Sequence, residues 1–213
     1  MVRDRLMSGA LAVAVALTLA GPSIVLAQPP AGELIVNGDA EADPGASSNS
    51  EVVKPTGWNT TGDFTAVQYG ASGGFPDANS PGPQDRGNNF FAGGNTALST
   101  ATQTIDLSPF AGQVAAGHTH YDLSGWLGGF ERQADAASVR LQFRDAAGAL
   151  LPGIALLGPV GPDMRHGATG LVRREADGLV PPRARSAEVT IVITRREGNY
   201  NDGSVDNLSL VLK

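Results

Sequence analysis

Ser138-Val139-Arg140-Leu141-Gln142-Phe143-Arg144 alternates strictly. Val139, Leu141 and Phe143 fall on one side; Arg140, Gln142 and Arg144 fall on the other. Successive side chains of an extended chain point to opposite faces, so this run reads as a strand with one buried face and one wet face. A helix would scatter the same three apolar residues around its axis. Outward from this run the pattern repeats. Ala187 to Thr194 places Val189, Ile191 and Ile193 on one face, and Tyr121 to Leu127 alternates again. Ala101 to Leu107 groups Gln103, Ile105 and Leu107, and Val205 to Leu212 groups Leu208, Leu210 and Leu212. Shorter strand candidates are Leu34 to Val36, Trp58-Asn59, Phe64 to Tyr69, Asn89 to Gly94, Ala149 to Leu151 and Ala168 to Arg174.

Between these runs lie turn residues. The chain of 213 residues holds 28 Gly and 14 Pro, about a fifth of the total, which argues against a helical bundle or coiled coil. Residues 43–57 and the Gly/Pro/Asn-rich 70–88 read as loops, and a loop as long as the second is often functional. Ser108 to Ala116 allows one helical turn at most. Many short strands with such connections predict an all-β fold, a two-sheet antiparallel β-sandwich, with Phe64, Tyr121 and Phe143 inside. The opening strand (34–36) and closing strand (205–212) are expected to pair.

The N-terminus reads as an address. Arg3 and Arg5 precede the apolar Leu11 to Ala20, and Val25-Leu26-Ala27 fits a cleavage site. This predicts a secretory signal peptide over 1–27, a linker over 28–33 and one domain over 34–213, hence a secreted, extracellular protein. No second apolar run reaches spanning length, so no membrane anchor is expected. Cys is absent, which excludes disulfides and thiolate metal sites. The net charge of −6 disfavours a nucleic-acid partner. There is no nucleophile elbow, His-Glu-x-x-His or phosphate loop. No spacing of acids singles out the paired carboxylates of a glycoside hydrolase, so a non-catalytic role is expected, with a glycan-acting hydrolase kept as an alternative. His118 and His120 read as loop residues.

Four segments carry a resemblance: Leu34-Ile35-Val36-Asn37-Gly38-Asp39-Ala40-Glu41, Gly57-Trp58, Leu123-Ser124-Gly125-Trp126-Leu127-Gly128-Gly129, and Asp202-Gly203-Ser204-Val205-Asp206-Asn207-Leu208-Ser209-Leu210. Together they make the chain resemble the galactose-binding-like β-jelly-roll superfamily, especially secreted carbohydrate-binding modules. The resemblance implies a jelly roll that binds polysaccharide or cell-envelope glycan. It also implies a structural Ca²⁺ held by Glu41 and Asp206, with Asn37 and Gly38 contributing backbone carbonyls. Calcium takes six to eight oxygens, so two acidic segments meeting in space would suit it. Sugar rings stack on aromatics while their hydroxyls bond to polar side chains. Trp126, which alternates opposite to Leu123 and Leu127, together with Arg132, Gln133, Tyr200 and Asn201, has that chemistry. The alternative is a surface or matrix domain that contacts protein and no sugar.

Overall fold

The computed structural model describes residues 32–213. The expected leader (1–27) and most of the linker lie outside the described residues. Among the described residues eleven strands form two sheets. The first sheet contains β1 (Ala46–Ser48), β3 (Thr65–Ser72), β4 (Asn89–Gly94), β6 (His120–Gly129), β9 (Gly170–Leu179) and β11 (Asn201–Leu212), in the order β1-β3-β4-β11-β6-β9. The second contains β2 (Asn59–Thr61), β5 (Leu98–Asp106), β7 (Ala136–Arg144), β8 (Leu150–Leu157) and β10 (Ser186–Thr194), in the order β2-β5-β10-β7-β8. Every pair is antiparallel except β1 with β3. The fold is the all-β sandwich that the alternation predicts. The one short helix among the described residues, α1 (Ala111–Ala115), follows a single 3₁₀ turn.

The inner faces are the apolar sides of the strongest alternating runs. Across the second sheet Ile191 sits between Val139 and Ala101, and Val189 sits between Leu141 and Gln103. The first sheet supplies Leu123, Leu127, Val205 and Leu210, all fully buried. Phe91 anchors one end of this core, against Phe64 at 5.5 Å and Trp58 at 5.8 Å, and Tyr121 meets Phe143 at 5.5 Å. Gln103 points inward as well. Its carboxamide accepts from the Val36 N–H at 2.8 Å and donates to the Val36 and Gly57 carbonyls, tying the N-terminal segment to the second sheet.

The chain ends meet, but not as a regular strand pair. Residues 34–36 form no named strand among the described residues. Glu33 makes an isolated bridge to Val211, and the Leu34 N–H donates to the Leu210 carbonyl at 2.9 Å. The Gly38 carbonyl accepts from the Leu208 N–H at 2.9 Å. The Glu33 carboxylate accepts the Leu34, Ile35 and Leu210 N–H groups on one oxygen, which takes the place of further ladder bonds.

The loop over residues 73–88 is ordered by its own side chains. Arg86 donates to the carbonyls of Asp77, Ser80 and Pro83, and its guanidinium lies 5.1 Å from the centre of the Tyr69 ring. The loop reaches from β3 to the far edge strand of the first sheet, where the Pro81 carbonyl accepts from Leu171 of β9 at 2.8 Å. Beneath it Val67, Phe90, Tyr200, Phe75 and Tyr69 form a second apolar cluster. At the edge of the second sheet, β8 leaves Leu150, Ile154 and Leu156 exposed.

Candidate functional site

In β6, Leu123, Gly125 and Leu127 face the core, so Asp122, Ser124 and Trp126 face outward in one row. The register sets a parallel row on β9. Trp126 is opposite Arg173, Ser124 is opposite Glu175, and Asp122 is opposite Asp177. On the other side β11 contributes Ser209 and Val211, and Lys213 follows its end. These residues, Trp126 excepted, line a groove of about 400 Å³. Two ion pairs lie in it: Arg173 with Glu175 at 2.8 Å, and Lys213 with Asp122. Trp126 stands next in the row after Ser124, half-buried, between Arg173 and Asp206 in register.

Of the five residues expected to bind ligand, Trp126 alone sits on this face. Arg132 is exposed in the loop after β6, beside Gly167. Gln133 follows it, half-buried, and its backbone carbonyl accepts from Arg165. Tyr200 and Asn201 lie away from this face, inside the fold. Tyr200 is 8% exposed and packs edge-on against Phe75 at 5.2 Å, so its ring has no free face. Asn201 is fully buried and donates to the Thr96 and Ile193 carbonyls. Both residues hold the end of β11 in place. The residues that sequence reasoning missed are Asp122, Ser124, Arg173, Glu175 and Asp177. The alternation that turned Trp126 outward carries Asp122 and Ser124 with it.

The four residues expected to hold calcium do converge on the seam between the chain ends, but their oxygens are already engaged. The Asn37 carbonyl accepts the Trp58 indole N–H, and the Gly38 carbonyl accepts Leu208. Glu41 accepts the Asn88 and Asn89 backbone N–H groups on one oxygen and the Asn88 side-chain amide on the other. Asp206 is fully buried and accepts the Tyr69 hydroxyl at 2.6 Å and the Asn207 N–H at 2.7 Å. Burial pushes the Asp206 carboxyl up to about 8, against the pull of those two donors, and Glu41 and Asp39 push it the same way as burial. Among the described residues no three His, Asp or Glu side chains group as metal ligands.

A second polar centre lies where the loops 129–135, 162–169 and 195–202 meet. Arg165, 4% exposed, donates to the carbonyls of Gly129, Glu131, Ala168 and Gln133. Fully buried Asp135 accepts the N–H groups of Arg196, Glu197 and Asp202. The Asp202 carboxyl is pushed up to about 7, first by burial and then by Asp135, while Arg165 pulls it down. In the unfolded chain it ionises near pH 4. Between about pH 4 and 7 the unfolded state therefore loses this proton before the folded state does, and stability falls as pH rises. Above about pH 7 the contribution is level. Asp202→Asn is expected to remove this slope. Its Tm relative to the parent should rise from pH 4 to pH 8, measured by thermal denaturation across that range; a constant difference would refute it.

Comparison with known proteins places the fold and no more. No family model and no curated protein matches the chain. Among solved structures it is similar to the enzymatically active domain of tailspike protein 4 from bacteriophage CBA120, with a TM-score of 0.52 and 17% identity over 85% of this chain. The match spans 22% of the tailspike chain. A family 16 carbohydrate-binding module matches at TM-score 0.49 and 20% identity, over 84% of this chain and 99% of that one. The module TmCBM61, solved with β-1,4-galactotriose, matches at 0.41 and 14%, over 74% and 90%.

Proposed function

We propose that this chain is a non-catalytic glycan-binding β-sandwich whose ligand lies on the outer face of the first sheet, along β6, β9 and β11. The observation that carries the reading is Trp126, a partly exposed indole on the outer face of a core strand, next in its row to Ser124, which lines a polar groove. An indole at such a place offers a large rigid apolar face. The C–H faces of a pyranose suit it, and the ring hydroxyls find carboxylate, guanidinium and hydroxyl partners in Asp122, Glu175, Arg173, Ser124 and Ser209. The loop 73–88 is bonded through Pro81 to Leu171 of β9, two residues before the Arg173 that faces Trp126. The leader-like 1–27 supports export of the protein to where such glycans are found.

Removing the platform tests this. Trp126→Ala is expected to weaken binding to soluble oligosaccharides or insoluble polysaccharide by at least about tenfold, as for a central aromatic anchor. Trp126→Phe should retain part of it. Calorimetry or a pull-down reads the loss, and thermal denaturation separates it from unfolding. A folded Trp126→Ala protein that binds as well as the parent would refute the site.

A further inference from the structure

We propose that the centre where the loops 129–135, 162–169 and 195–202 meet is a cation site that the chain fills with its own Arg165, and that with this side chain cut back the site binds free guanidinium ion. The inference stands apart from the glycan reading. Four backbone carbonyls converge on the Arg165 side chain. Those of Ala168, Glu131 and Gly129 lie 2.6, 2.8 and 3.1 Å from one nitrogen, Nη1, and that of Gln133 lies 3.0 Å from Nη2. A terminal guanidinium nitrogen carries only two N–H groups, yet three carbonyl oxygens crowd round Nη1. Carbonyl oxygens gathered on one point are an arrangement for positive charge. Asp202 attracts the guanidinium across the same centre. Glu131, with φ of 38°, and His166, next to Arg165, with φ of 54°, hold a left-handed backbone that such residues rarely adopt. The first of them supplies one of the four carbonyls.

The cage is cut for a planar fork. All four bonds leave the two terminal nitrogens, and buried Nε has no hydrogen-bond partner among the described residues. A guanidinium ion without the alkyl stem therefore keeps every hydrogen bond that the cage makes. The oxygens stand at N–H···O distances. Calcium draws its oxygens in to about 2.3–2.6 Å around a single centre, whereas these are divided between two nitrogens. Arg165→Ala removes the stem and leaves its track as the way in. An ion that enters restores donors to the four carbonyls, and it finds them together only in the folded chain, so it stabilises by mass action.

The test is thermal denaturation of Arg165→Ala and of the parent protein in guanidinium chloride at about 20 mM, far below the molar range that weakens apolar burial, against sodium chloride at the same concentration. Guanidinium is expected to raise the Tm of Arg165→Ala by about 3 °C or more. It should not raise the Tm of the parent, whose cage is already filled, or of Arg165→Lys, which puts an ammonium there. Calcium chloride should leave Arg165→Ala where sodium chloride does. Should Arg165→Ala not fold by itself, refolding from urea reads the same binding: recovery of the β-sheet circular dichroism in guanidinium but not in sodium chloride supports the site, and no recovery overturns it. No rise in the variant, an equal rise in variant and parent, or calcium acting as well as guanidinium each overturn the proposal.

Discussion

Arg165→Ala is expected to destabilise the protein by about 3–5 kcal/mol, among the largest effects of any single substitution. The guanidinium is 4% exposed and is spent on four backbone carbonyls: Ala168 at 2.6 Å, Glu131 at 2.8 Å, Gln133 at 3.0 Å and Gly129 at 3.1 Å. No other described side chain donates to these four. Truncation leaves them facing a void, and each buried carbonyl left without a donor costs about 1–3 kcal/mol before relaxation or water entry. Asp202 adds to the effect, because Arg165 is the cation that draws its carboxyl downward. Arg165→Lys should recover part of the loss, since an ammonium carries three donors and cannot span the fork. Urea denaturation gives the free energy, and the Tm should fall on the order of 10 °C for a chain of this size. A loss below about 1 kcal/mol would mean that the loops 129–135 and 162–169 hold together without their shared donor.

Gly38→Ala is expected to cost about 2–4 kcal/mol by forcing apart the chain ends. A Cβ at this position would stand 2.0 Å from the Leu208 carbonyl oxygen, and the same two residues share the hydrogen bond from Leu208 N–H to Gly38 carbonyl. The contact is backbone against backbone, so no flexible side chain can yield. Opening it strains the neighbouring Leu34–Leu210 bond and the Glu33 carboxylate that gathers three N–H groups. Thermal denaturation of the single variant measures the cost, and faster hydrogen exchange at Leu208 and Leu210 would locate it at the seam. Unchanged stability would show that the seam adapts.

Much of the sandwich is legible because one-sided burial writes itself as a period of two. Val139, Leu141 and Phe143 could be assigned inward with no knowledge of their partners. β8 was legible only at its start, because Pro152 and Gly153 interrupt the run; an edge strand paired on one side tolerates both. β1 and β2 have three residues each, too few to show a period. The same logic orients Trp126, whose phase is opposite to that of Leu123 and Leu127. The burial of Tyr200 and Asn201 was not legible, because Asn, Gly and Asp neighbours mimic an exposed turn. Their burial is supplied from afar, by Phe75 on one side and the Thr96 and Ile193 carbonyls on the other. At Gly38 the structure shows a steric demand that the sequence does not announce: only a residue without a side chain lets Leu208 come so near.

β11 runs between β4 and β6, in the interior of the first sheet. A late segment of the sequence thus joins two halves of a sheet. Without it, β4 and β6 each present a bare hydrogen-bonding edge. Completing the sheet waits on contacts distant in sequence, which makes that step slow.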